Sequence, residues 1–443
     1  MPLQLVRVAG LFMGTITEWP DSWVPYGAAR CPFVAPRGRS ILSLRSARSA
    51  EQGDPHGFLS RALQHPIASK PLAEIAQGKR SAAILIPGKA RRVGTREYIP
   101  ALVAELNRGG IADKDISIFL ADGTHDQHLG SDMEELVGRE TVARVRCLGH
   151  DAREEGETVQ LGTTSFGTPV LINRAVMAAE VKILTGRIVP HYFAGYSGGR
   201  KALIPGVAGF RTIRANHKLT LASDVGIHPE VRPASLSGNP VHLDMVEGAR
   251  MVRPDFCLNT VLDEAHGVVG VVAGDWEAAH AAGCRLADEC FHLTLPKPVD
   301  VLVTSAGGLP YDVNFMQSLK AAFNLQAMVR PGGAILWVAE CAQGMHPGFL
   351  RWASIESDAE LEVAVRADYN LTGHNSIMLR RLVRKAHVVL CSGLPAEQVR
   401  ALGMHPVSTP EAGLRWIQDR VPGDSSYAVA PYANVLCGSI QPA

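Results

Sequence analysis

Apolar and polar positions change their rhythm near residue 81. Before it, the chain is rich in Pro, Gly, Arg and Ser with little periodicity, and reads as an irregular or short-stranded lead-in. From Ser81 onward short apolar runs alternate with helical ones: AAILI at Ala82, the amphipathic YIPALVAELNRGG, then ISIFL at Ile116. VKILT at Val181 predicts a further buried strand, and VDVLVTS at Val299, AILWVA at Ala334 and VVLC at Val388 repeat the strand, loop, helix pattern. Near-continuous apolar strands separated by helices predict an α/β chain with two domains of mainly parallel sheet covered by helices. EAAHAAGCRLADECFHLTL, reaching Leu295, reads as helical and as the connecting hinge. The expected division is 1–294 and 295–419, with a tail at 420–443 that can return to the first domain.

Composition narrows the function classes. The chain has 443 residues, with 44 Lys plus Arg against 43 Asp plus Glu, so no global field draws nucleic acid or anionic lipid. Eight cysteines are scattered without a C-x-x-C pair, which fits reduced thiols in a cytoplasm better than a disulfide framework. The apolar N-terminus carries Arg7 and no clear cleavage site, and no uncharged run is long enough to span a bilayer. The expectation is a cytoplasmic protein acting on a small molecule, without nucleic-acid or membrane partners.

Ligands of open α/β sheets collect at loops past the carboxyl ends of strands, and three such loops stand out. ADGTHDQH places His125 and His128 in a turn after ISIFL, where a polar helix start is the plainer alternative. TGRIVPHYFAGYSGGRKALIPGVAG after VKILT is denser, with His191, a Gly-Ser-Gly-Gly stretch, Arg200 and Lys201, followed by His217 in ANHKL. Such a stretch can offer backbone N–H groups and two cations to a phosphate. It is not a Walker A loop, since Arg200 precedes Lys201 and Ala202 follows, and no G-x-G-x-x-G exists in the chain. Histidine suits nickel, copper or zinc, and one protein ligand without a carboxylate or thiol cluster suggests that a cofactor supplies the rest. In SAGGLPYDVNFMQSLKAAF, Gln317 and Lys320 share a helix face that either points into a cleft between domains or is solvated. Lys89, Arg91 and Arg92 follow the first strand, where a guanidinium can fork onto a carboxylate or simply be solvated.

These residues resemble the nickel-pincer lactate racemases and their 2-hydroxyacid relatives. The long run GRIVPHYFAGYSGGRKALIPGVAG with Asn216-His217 carries the resemblance; GTH at Gly123, NPVHLDM at Asn239, YDVNFMQSLK and GGAILWVAEC support it, and together they cover most of the chain. The resemblance implies a 2-hydroxyacid racemase or epimerase with its active site in the interdomain cleft. It implies a nickel-pincer nucleotide (pyridinium-3,5-bisthiocarboxylic acid mononucleotide) joined to Lys201, with nickel on His217, and cofactor-biosynthetic enzymes as transient partners. His125 and His191 match the paired acid and base, and Arg91, Gln317 and Lys320 the substrate-polarising groups. Proton and hydride transfer through a 2-oxo acid would erase the stereocentre. Two departures mark this chain: the acid of the family's first loop is Gly88, and the residue before Gln317, often tyrosine in the lactate enzymes, is Met316. They point to a different or larger 2-hydroxy acid. The alternative is a non-catalytic homologue that binds a phosphate-bearing nucleotide or a hydroxy acid; an unrelated phosphate-binding α/β enzyme would make the long match accidental.

Overall fold

The all-apolar strand Ala82–Ile86 is buried at every position, as a strand covered by helices on both faces must be. In the computed structural model, which describes residues 16–18, 22–34, 36, 41–48, 53–88, 93–124 and 129–442, it lies in a six-stranded sheet. The strand order is Val268–Gly274, Phe256–Leu262, Val181–Arg187, Ala82–Ile86, Ile116–Leu120, Arg146–Leu148. All neighbours run parallel except the first two, which form a hairpin. Asp263 makes that hairpin turn, its Oδ1 accepting from the N–H groups of Ala265 and Gly267.

The second sheet has seven strands in the order Ile16–Glu18, Ile41–Leu44, Tyr427–Ala430, Val299–Ser305, Val329–Val338, His387–Cys391, His405–Val407. Only its first pair is antiparallel. The chain is therefore an α/β protein with mainly parallel sheets flanked by helices. Strand pairing does not respect a single cut at 295. Residues 16–18 and 41–44 lie in the second sheet, and the tail strand Tyr427–Ala430 sits between Ile41–Leu44 and Val299–Ser305. We carry the two-domain division forward as a proposal in which these early strands count with the second unit.

The expected hinge helix is Trp276–Phe291, capped by Asp275, whose carboxylate accepts from the N–H groups of Glu277 and Ala278. It ends earlier than its pattern suggests. His292–Leu295 is a strand, parallel to Cys437–Ile440, because Leu293 and Leu295 alternate into the core while His292 and Thr294 bond Ser439. One buried cluster runs from Leu184 and Ile188 through Tyr192 and Phe291 to Leu302, Phe315 and Leu390, so apolar packing is continuous between the two sheets. No helix among the described residues is long and apolar enough to cross a membrane.

Candidate functional site

The densest motif leaves the carboxyl end of strand Val181–Arg187 and folds back as a two-residue hairpin, Pro190–His191 against Gly195–Tyr196. Gly195 has φ +73°, and a Cβ there would stand 2.1 Å from the Ser235 carbonyl oxygen, so only glycine closes this turn. Arg187 anchors its root, donating to Tyr311 Oη at 2.7 Å across the two units and to the Leu262 carbonyl at 3.0 Å.

The Gly-Ser-Gly-Gly-Arg stretch differs from the phosphate cradle its composition suggests. Arg200 is 1% exposed and binds the loop to itself: it donates to the Ala194 carbonyl and meets His280 Nε2, both at 2.8 Å. The Gly199 N–H donates to Asn259 Oδ1 at 3.0 Å. One of the two expected cations and one expected amide are thus engaged internally, and the stretch is a rigid mount for its neighbours.

What it mounts is centred on Phe193. The His191 ring stands edge-on to Phe193 with centroids 4.4 Å apart, the His217 ring at 5.0 Å, and Lys201 Nζ lies 5.2 Å from the same centroid. Three residues of the sequence prediction converge on one phenyl ring. Lys201 is buried, so its stem and ammonium are held rather than swinging in solvent. His217 belongs to the last turn of helix Phe210–Lys218, which the preceding Asn216 fixes from below. Asn216 Nδ2 donates to Asp244 Oδ2 at 2.8 Å and to the Val241 carbonyl at 3.1 Å, and Thr164 Oγ1 donates to Asp244 Oδ1 at 2.5 Å. Burial pushes the Asp244 carboxyl up, against the pull of these hydrogen bonds.

The second unit supplies two helices. Gln317 and Lys320 lie half-buried on Phe315–Phe323, beside fully buried Ser318 and Leu319, as the shared face requires; Asn314 caps the helix by accepting from the Gln317 N–H at 3.0 Å. Phe323 of this helix packs 5.4 Å from the Tyr192 ring. The other helix, Gly373–Lys385, brings His374 to 5.3 Å from Phe193 and 6.3 Å from His217, ring to ring. Tyr369 Oη and His374 Nδ1 share a hydrogen bond at 2.8 Å, and burial holds this imidazole neutral, pushed down to about 3. Arg91 and His125, with Lys89, Arg92 and His128, lie outside the described residues. Sequence reasoning missed Tyr192, Phe193, His374 and Asn375; the first two stand beside His191 in the motif itself, whereas His374 and Asn375 open a helix rich in Arg and Lys and carry no local signal.

The residues fit the group that the family resemblance implies. Among the described residues no three His, Cys, Asp or Glu side chains are grouped to hold a metal, so an ion on His217 finds no ready-made set of protein ligands among them. Lys201 is a buried amine on the same side chain, Phe193, that His217 touches. Those two are the attachment points a lysine-linked, histidine-capped metal cofactor requires.

Comparison with known proteins gives the family. Residues 26–226 match the model of the lactate racemase N-terminal domain and residues 295–434 that of the C-terminal domain. A lactate racemase of Thermoanaerobacterium thermosaccharolyticum is 31% identical over 417 residues, 92% of this chain and 96% of that protein. A lactate racemase of Lactiplantibacillus plantarum is 32% identical over 65% of this chain and 66% of its own length. The structure of the T. thermosaccharolyticum lactate racemase apoprotein superposes with TM-score 0.84 at 30% identity, covering 95% of this chain and 99% of that one. A Thermotoga maritima protein, at 16% identity and TM-score 0.64 over 84% of this chain and 96% of its own, shares the fold.

Proposed function

This chain belongs to the lactate racemase family, and from that premise we propose that it racemises or epimerises a 2-hydroxy acid, lactate or a bulkier relative, with a nickel-pincer nucleotide as cofactor. The observation that carries the reading is the convergence of His191, Lys201 and His217 on Phe193. Lys201 would hold the nucleotide through its amine and His217 would bind the metal through an imidazole nitrogen. When bound, the group would supply reversible hydride-accepting chemistry at the carbinol carbon. Everything else falls to side chains. His191 exchanges the hydroxyl proton through Nε2, a reading supported by the N–H groups of Phe193 and Ala194, which approach its Nδ1 at 3.5 and 3.4 Å. His125 is the proposed partner base for the opposite enantiomer. Arg91, Gln317 and Lys320 are assigned to orient and neutralise the carboxylate and carbonyl oxygens. Phe193, Tyr192 and Phe323 exclude water from the reacting carbon. Met316, where the lactate enzymes often carry tyrosine, gives an adaptable apolar wall and favours a larger side chain on the substrate.

The deciding experiment is to produce the protein together with the enzymes that make the cofactor, measure its nickel and its intact mass, and follow the optical rotation of single-enantiomer 2-hydroxy acids. Loss of rotation with an adduct at Lys201 supports the reading. A loaded protein that leaves every acid optically pure is a binder, and a protein without adduct or nickel removes the cofactor assignment.

A further inference from the structure

Asn375 joins the element that carries His191 to the helix that carries Gln317 and Lys320. Its Nδ2 donates to the Leu371 carbonyl at 3.1 Å, an oxygen that can only accept, so the amide orientation is fixed. Nδ2 also lies 3.4 Å from Met316 Sδ, and Oδ1 accepts from Tyr192 Oη at 2.9 Å. Tyr192 in turn stacks on the His191 ring with centroids 5.0 Å apart and planes 12° from parallel. Met316 directly precedes Gln317 on helix Phe315–Phe323. Asn375 is 2% exposed and Tyr192 5%, so water does not compete for these bonds.

We propose that Asn375 is a positioning residue for proton transfer: through Tyr192 it sets the angle of the His191 ring, and through Met316 it sets the distance from that ring to the substrate-orienting helix. The proposal rests on the racemase reading for its catalytic consequence, and on these contacts alone for its structural part. A leucine matches the size of asparagine and removes both its donors and its acceptor. An aspartate keeps the acceptor for Tyr192 but turns a carboxylate oxygen on the Leu371 carbonyl. Displacing a proton-transfer group by a fraction of its bond length to ~1 Å costs on the order of 10- to 100-fold in turnover.

The test uses Asn375→Leu, Tyr192→Phe and the double variant in the cofactor-loaded enzyme. Each single change is expected to lower kcat by roughly 10- to 100-fold with KM within about threefold, and the double variant to be no slower than the slower single, because both cut one connection. Unchanged kcat, or losses that multiply in the double variant, would overturn the proposal. A second measurement is independent of turnover: in the full chain labelled at its histidine rings, Tyr192→Phe and Asn375→Leu should both move the His191 resonance while leaving that of His405 in place. A stationary His191 signal overturns the proposal even if the protein proves to be a racemase. A moving signal in a chain without racemase activity upholds the strut and refutes the reaction. Should Asn375→Leu not fold, Tyr192→Phe, which removes one oxygen atom, carries both measurements.

Discussion

Asp122 holds its carboxylate where a side chain at Gly88 would have to stand. Its Oδ1 accepts the Gly88 N–H at 2.9 Å, and a Cβ built on Gly88 would meet Oδ2 at 1.8 Å. Asp122 follows the neighbouring strand Ile116–Leu120, so a carboxylate stands at the first loop although the loop itself carries none at position 88. Gly88→Ala should destabilise the protein by about 1–3 kcal/mol through overpacking, measured by denaturant unfolding, and Asp122→Gly added to it should restore most of that loss. An alanine variant as stable as the parent would show that the carboxylate moves aside freely.

His191→Asn keeps a polar side chain of similar reach but cannot cycle a proton near neutral pH. Turnover is expected to fall about 10²- to 10⁴-fold, while the mass of the Lys201 adduct and the melting temperature stay at parental values. Polarimetry and intact mass on one preparation check both halves.

Lys201 and His217 should separate the two attachments. Lys201→Arg keeps the positive charge near Phe193 but offers no amine for the covalent link, so no adduct should appear. His217→Ala should keep the adduct and hold nickel through the cofactor's own ligands alone, so a chelator should remove the metal faster than from the parent. Equal resistance to the chelator would argue against His217 as a ligand.

Below the loop, the rings of His242 and His280 stack 6.4 Å apart beside buried Arg200. Burial, reinforced by Arg200, holds His242 down to about 3 and His280 well below its usual value. The unfolded chain takes up protons near pH 6.5 that the fold refuses, so stability is full above that pH and falls as pH drops through 6.5 toward 4. Each histidine contributes a slope of up to about 1.4 kcal/mol per pH unit. His242→Phe should flatten the unfolding free energy against pH in that window; an unaltered slope would assign the proton uptake to other groups.

The strands centred on Ala82, Ile116, Val181, Val299 and Val388 were legible because burial on both faces leaves unbroken apolar runs. The site run was legible because glycines, histidine and lysine crowd one strand end. Two things were not. Arg200 reads as a phosphate-facing cation, yet whether a guanidinium faces outward depends on His280 and Ala194, and His280 is distant in sequence. The roles of His374 and Asn375 exist only through contacts with Phe193 and Tyr192 made across the two units, and no local pattern encodes a long-range contact.

The second sheet carries a constraint on the order of events during synthesis. Its strand Ile41–Leu44 is made long before its parallel partner Tyr427–Ala430, whereas every strand of the first sheet lies between Ala82 and Gly274. The first sheet can close while the ribosome is still translating the second. The early strand must wait with one edge unpaired until residues 427–430 have been made, so a translational pause shortly before them should expose an aggregation-prone edge far from the place where translation stopped.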